Sequence, residues 1–132
     1  MRLHQRILVV DDHASFRHLL RTFLELNPKW EVCGEASDGC EAVTKTRELH
    51  PDIVLMDLDM PRLNGLEATR QIHKLSPSIR VLILTLHDIS TLPQIARNSG
   101  AQGYVLKSEP LDVLTRAIET MCDSDQFFVA HH

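Results

Sequence analysis

The chain has no apolar run approaching the roughly 20 residues of a membrane span. Its N-terminus has no signal-peptide pattern, so a cytoplasmic location is expected. There is no excess of positive charge. Fourteen Lys and Arg face 18 Asp and Glu for a formal net charge of -4, which excludes nucleic-acid binding through overall basic character. The three cysteines (Cys33, Cys40, Cys122) are odd in number and lack metal-ligand spacing. They fit free thiols in a reducing compartment better than a disulfide framework. Aromatics are few: one Trp, one Tyr and four Phe. Internal repeats and low-complexity stretches are absent, and no composition shift marks a second domain. At 132 residues the chain is read as one domain with a sizeable core.

What is present is a set of short apolar runs, each ending at a particular polar residue. Ile7-Leu8-Val9-Val10 ends at Asp11-Asp12, Ile53-Val54-Leu55-Met56 at Asp57, Val81-Leu82-Ile83-Leu84 at Thr85, and Tyr104-Val105-Leu106 at Lys107. Apolar runs of this length read as strands buried on both faces, the habit of a parallel sheet. Glu31 to Ala36 reads as a further strand. Between the strands lie helix-like segments. Phe16, Leu19, Leu20, Phe23 and Leu24 form an apolar stripe stopped by Asn27-Pro28. Helices are expected over about 40–49 and 66–75, and from about Ile89 to Ser99 with Gly100 as a left-handed cap. The stripe Leu111, Leu114, Ala117, Ile118 and Met121 marks a last one. The fold class is α/β, five βα units around a doubly wound parallel sheet. The domain is expected over 1–122, with 123–132 as a linker or tail too short to fold alone. His131-His132, native or part of a tag, carries no functional weight.

Parallel strands place all their C-terminal ends on one edge, and open α/β sheets bind ligands in the crevice outside those ends. Asp11, Asp12, Asp57, Thr85 and Lys107 should therefore converge. Each has a plainer explanation alone: Asp at a helix start is a cap, Thr85 a strand residue, Lys107 a solvated lysine. Their joint placement favours chemistry. Three clustered carboxylates repel one another unless a cation is present. Mg²⁺ takes one or two carboxylates and keeps water for a phosphate oxygen to displace. Asp57 is the candidate nucleophile, able to form an acyl phosphate. Lys107, with Thr85 or a backbone amide, would neutralise the transferring phosphoryl oxygens. Tyr104 is either a packed aromatic or a ring that moves with Thr85. His13 and His87 lie nearby and are read as exposed, neither metal ligand nor phosphoacceptor.

These residues resemble a response-regulator receiver domain of the CheY-like kind. The matching strings are Ile7 to His13, Pro51 to Asp57 continuing to Met60-Pro61 and Gly65, Leu84-Thr85, and Gly100-Ala101 through Gly103 to Lys107. The resemblance covers about residues 5–121. It implies a flavodoxin-like sheet in the order 2-1-3-4-5. It implies that Asp57 accepts a phosphoryl group from a histidine kinase or phosphotransfer protein, that Asp12 is a direct Mg²⁺ ligand, that Asp11 acts through water, and that Asp59 gives its backbone carbonyl. Asp57 completes the metal set, Thr85 and Lys107 sense the phosphoryl group, and Tyr104 is the aromatic switch. Gly34 to Gly39, Leu63 to Thr69 and Phe127-Phe128-Val129 are similar to the NarL/FixJ-type transcription regulators. That subfamily implies a C-terminal helix-turn-helix, so the chain is either cut from a longer regulator or a natural single-domain protein. A homodimer on phosphorylation is a possible assembly, and DNA would be met only through the absent output domain.

Two departures stand out. Leu86 follows Thr85 where the family often has a small residue, and its bulk could crowd the phosphoryl group. Ser108-Glu109-Pro110 follows Lys107, so a cis Lys-Pro bond is impossible. The leading function is thus a phosphorylation switch that is not an enzyme beyond catalysing its own phosphorylation and dephosphorylation. The alternatives are a phosphorylation-independent pseudo-receiver and a haloacid-dehalogenase-like phosphatase, suggested by Asp57-Leu58-Asp59. The latter's motif opens its chain and its acidic pair comes last, the reverse of the order here. A flavodoxin-like cofactor site lacks its hydroxyl- and glycine-rich loop after the first strand.

Overall fold

Among the described residues, four of the six strands contain runs with almost no solvent contact, and these dictate the architecture. In the computed structural model, which describes residues 4–60, 64–123 and 127–129, the strands are β1 (Gln5–Val10), β2 (Trp30–Ala36), β3 (Ile53–Asp57), β4 (Arg80–Thr85), β5 (Gly103–Leu106) and β6 (Phe128–Val129). They alternate with α1 (Ala14–Leu24), α2 (Gly39–Leu49), α3 (Gly65–Leu75), α4 (Leu92–Ser99) and α5 (Leu111–Asp123). All pair in parallel in the order β2-β1-β3-β4-β5-β6. The expected order 2-1-3-4-5 therefore holds, with one short strand added at the edge of β5. Pro61, Leu63 and His131-His132 lie outside the described residues.

Because side chains alternate across a strand, β1 feeds two cores. Leu8 and Val10 join a cluster with Val43 of α2, Ile72 of α3 and Ala96 of α4. Ile7 and Val9 join a second with Leu20 and Leu24 of α1 and Ile118 and Met121 of α5. Covering both faces is what a parallel sheet with helical crossovers requires.

Helix starts follow local chemistry. Asp38 and Asn64 accept the amides of Glu41 and Glu67 at 2.8 and 2.9 Å, so α2 and α3 begin at Gly39 and Gly65, one residue before the apolar periodicity. β2 likewise starts at Trp30 rather than Glu31. α4 begins at Leu92, three residues later than Ile89, and this is a correction. Pro93 lacks an N–H and suits only the first turn, and residues 89–91 close instead as a turn in which Leu92 N–H donates to the Ile89 carbonyl at 3.0 Å. Gly100 caps α4 at φ +96°, as expected. Gly65 permits a close approach: a Cβ there would lie 2.3 Å from the Asp57 carbonyl oxygen, so α3 starts directly against the end of β3. Among the described residues no helix is long and apolar enough to cross a membrane.

Candidate functional site

The C-terminal ends of β1, β3, β4 and β5 bring the expected polar residues to one edge. β1 runs into Asp11, which is fully buried and anchored to β2 by its N–H donating to the Ala36 carbonyl at 3.0 Å. Asp11 Oδ1 accepts the His13 amide at 2.8 Å, an Asx-turn that bends the chain into α1. Asp12 then projects with its side chain 29% exposed. β3 ends at Asp57, also fully buried, and Asp57 Oδ1 accepts the Asp59 amide at 3.1 Å. Beyond β5, Lys107 is tied down by its N–H donating to the Thr85 carbonyl at 2.7 Å.

Lys107 is no solvated lysine. Its ammonium lies 2.7 Å from Asp11 Oδ2 and 3.1 Å from Asp57 Oδ1, with the side chain 9% exposed. Its Nζ also stands 4.8 Å from the centroid of the Phe16 ring. Burial pulls the Lys107 pKa down, but the hydrogen bond to Asp11 and the charge of Asp57 outweigh it and raise it above the ordinary lysine value. Burial pushes the Asp57 carboxyl up, and the charge of Asp11 adds to this. The Asp59 amide and Lys107 pull it back without restoring the ordinary value. Among the described residues Asp57 Oδ2 is buried and accepts no hydrogen bond.

Thr85 Oγ1, wholly buried, donates to Asp59 Oδ2 at 3.2 Å and accepts the His87 amide at 3.1 Å. Asp59's carboxylate therefore faces Thr85, while His87 Nε2 is 3.7 Å from the same oxygen. Tyr104 is buried, its ring centroid 6.3 Å from that of Phe127. Burial raises its phenol pKa, with Asp88 adding to the effect. Leu86, whose bulk the sequence raised as able to crowd the site, is 64% exposed and leaves most of its surface in solvent.

Asp11, Asp12 and His13 offer ligand atoms within 4.8 Å of one another. Asp57 and Asp59 are not in that group; Lys107 bridges Asp11 and Asp57, and Asp59 engages Thr85. His13, read as a bystander, places Nδ1 3.2 Å from Asp11 Oδ1 and 3.0 Å from Asp12 Oδ1. The donor set suits a hard cation. Two buried carboxylates, Asp11 and Asp57, share one ammonium, and the unpartnered Asp57 Oδ2 is a buried acceptor that a cation would satisfy. Sequence reading missed Arg17, whose guanidinium reaches the Asp11 carbonyl, and Phe16. Both sit in the stripe-bearing first helix, where only apolar spacing was legible.

The family profile described as "Response regulator receiver domain" matches residues 7–119. The chain is 34% identical over 122 residues to the transcriptional regulatory protein DegU of Brevibacillus brevis, covering 92% of this chain and 52% of that protein. It is 42% identical over 115 residues to the transcriptional regulatory protein LiaR of Bacillus subtilis (strain 168), covering 86% and 54%. The chain thus spans about half the length of the curated relatives it matches. A crystal structure of a LuxR-family two-component response regulator from Aurantimonas sp. SI85-9A1 superposes with a TM-score of 0.87 at 42% identity, covering 91% of this chain and 86% of that one.

Proposed function

The chain belongs to the response-regulator receiver domain family, and from that premise we propose that it takes a phosphoryl group onto Asp57 from a histidine kinase or phosphotransfer protein. The observation that carries this reading is the wholly buried Asp57 carboxylate, held on one oxygen by Lys107 and the Asp59 amide and unpartnered on the other. A carboxylate oxygen attacks phosphorus. The phosphorus–nitrogen bond of the donor phosphohistidine breaks, its electron pair returns to the imidazole, and Asp57 becomes an acyl phosphate. Asp11, Asp12, Asp57 and Asp59 are the residues that would hold Mg²⁺, which when bound supplies positive charge to the phosphoryl oxygens. Lys107 offers its ammonium to another oxygen. Thr85 exchanges its bond to Asp59 for one to the phosphoryl group, and Tyr104 follows it.

The protein is a switch, not a turnover enzyme: it promotes only its own phosphorylation and dephosphorylation. It acts in the cytoplasm. Its output, in a longer protein of the DegU and LiaR kind, is transcription control through a C-terminal DNA-binding domain, with dimerisation on phosphorylation.

The test is intact-mass spectrometry after incubation with acetyl phosphate, with and without Mg²⁺. A gain of about 80 Da, one phosphoryl group, is expected only with Mg²⁺ and only when Asp57 is present. Uptake by Asp57→Ala overturns the assignment. No uptake despite bound Mg²⁺, and none from a histidine kinase, favours the pseudo-receiver.

A further inference from the structure

Helix α1 begins without a side-chain cap, since the side chain of its N-cap residue His13 accepts no helix amide. The acidic turn before it is held from inside the helix by Arg17. Arg17 N–H donates to the His13 carbonyl at 3.0 Å, and its Nη1 donates to the Asp11 carbonyl at 2.6 Å. The first is the ordinary backbone bond of the helix, whereas the second is made by the side chain, which thus fixes the carbonyl just before Asp12. The same guanidinium donates through Nε to Glu35 Oε1 at 3.0 Å. Glu35 belongs to β2, paired with Val9 of β1, and its Oε2 accepts Arg21 Nη1 at 3.0 Å. Burial alone would lift the Glu35 carboxyl. The hydrogen bonds from Arg21 and Arg17 outweigh it and hold the group below the usual carboxylate range. Arg17's side chain is only 18% exposed, so its planar fork is committed to these two acceptors.

We propose that Arg17 is a positioning residue for the cation site. By fixing the Asp11 carbonyl against Glu35 of β2, its guanidinium sets the orientation of Asp11 and Asp12, and through them the affinity for Mg²⁺. This rests on reading the acidic turn as a Mg²⁺ site. The Arg17 side chain bonds the turn through the Asp11 backbone carbonyl and not through a carboxylate, so its action is indirect, as with groups that orient metal ligands from behind.

Positioning and simple electrostatics predict opposite signs. Removing a guanidinium near carboxylates should strengthen cation binding by Coulomb attraction alone, whereas loss of positioning should weaken it. Arg21 supplies the control. It shares Glu35 with Arg17 but, among the described residues, its hydrogen bonds and ion pairs go to Glu35 and Glu25 and not to the turn, so Arg21→Ala removes a similar charge without releasing Asp11. Arg17→Lys keeps the charge and loses the fork.

The experiment is calorimetric titration of the chain with Mg²⁺ alone, for wild type, Arg17→Ala, Arg17→Lys and Arg21→Ala, alongside thermal melts without metal. Both Arg17 variants are expected to raise the Mg²⁺ Kd about 10-fold, with Arg21→Ala unchanged or tighter. The proposal is overturned if Arg17→Ala binds Mg²⁺ as tightly as wild type, or if Arg21→Ala weakens it equally. Should Arg17→Ala melt below the working temperature, Arg17→Lys decides alone: a Kd equal to wild type overturns the proposal. Absence of Mg²⁺ binding by wild type instead removes the cation reading itself, and this inference with it.

Discussion

Burial lifts the Asp57 carboxyl and the charge of Asp11 lifts it further, against the pull of the Asp59 amide and Lys107. A carboxyl whose folded pKa lies above its unfolded one takes up protons on folding. The stability it contributes is fully present below the ordinary value of 3.8 and is lost as pH rises through the raised folded value. At neutral pH, without a cation, the ionised Asp57 is therefore a net cost. Asp57→Asn keeps an acceptor for Lys107 and removes the charge. By scanning calorimetry it should melt a few degrees above wild type at pH 7 without Mg²⁺, with the gap closing towards pH 4. Mg²⁺ should raise the wild-type melting temperature more than the variant's. A lower melting temperature for Asp57→Asn at pH 7 would mean that the attraction to Lys107 outweighs burial. At this scale the sequence was a good guide to Asp11, Asp12, Asp57, Thr85 and Lys107, because strand ends in a parallel sheet share an edge. It was silent on Arg17 and showed Phe16 only as part of an apolar stripe, since their places at the site depend on how α1 lies over β1 and β2. It also gave no sign that Lys107 would bridge Asp11 and Asp57, which is a matter of side-chain reach.

Among the elements, the strands ending at Asp57 and Thr85 were legible because burial on both faces leaves continuous apolar runs, a signal that does not depend on neighbours. The start of α4 was not, since apolar periodicity from Ile89 ignores the missing N–H of Pro93. β6 was invisible as a strand: two residues carry no period. Its place depends on Gly103. A Cβ at that position would lie 2.7 Å from the Phe128 carbonyl oxygen and 2.8 Å from its Cβ, both closer than ordinary contact. The Phe128 amide donates to the Gln102 carbonyl at 2.9 Å, and Phe127 beside it meets the Tyr104 ring and lies 4.5 Å from the Arg97 guanidinium carbon. Gly103→Ala should therefore displace β6 and leave the other pairings intact. Overpacking of this kind costs about 1–3 kcal/mol. In hydrogen exchange the Phe128 amide should lose protection while the amides of β1, β3 and β4 keep theirs. Unchanged protection at Phe128 would mean that the edge absorbs a methyl group by shifting as a unit.

The whole molecule is organised by a sheet that serves two cores at once. Residue pattern alone indicated a parallel α/β domain, while the strand order came through the family resemblance, since no periodicity distinguishes 2-1-3-4-5 from another doubly wound order. Because Ile7 and Val9 pack in one core and Leu8 and Val10 in the other, β1 couples the two faces of the sheet. Trp30 offers a probe of this coupling. It is buried at the start of β2, opposite Gln5, at the end of the sheet away from Asp57, roughly 20 Å along the strands. A ligand that binds only the folded state stabilises every part that unfolds with it. Mg²⁺ added at the carboxyl edge should therefore raise the melting temperature followed by Trp30 fluorescence by the same amount as that followed by far-ultraviolet circular dichroism, and the two transitions should coincide. A fluorescence transition that comes earlier and ignores Mg²⁺ would mean that the amino end of the sheet opens separately. Signalling between the acidic edge and the rest of the domain would then have to run through the helices instead.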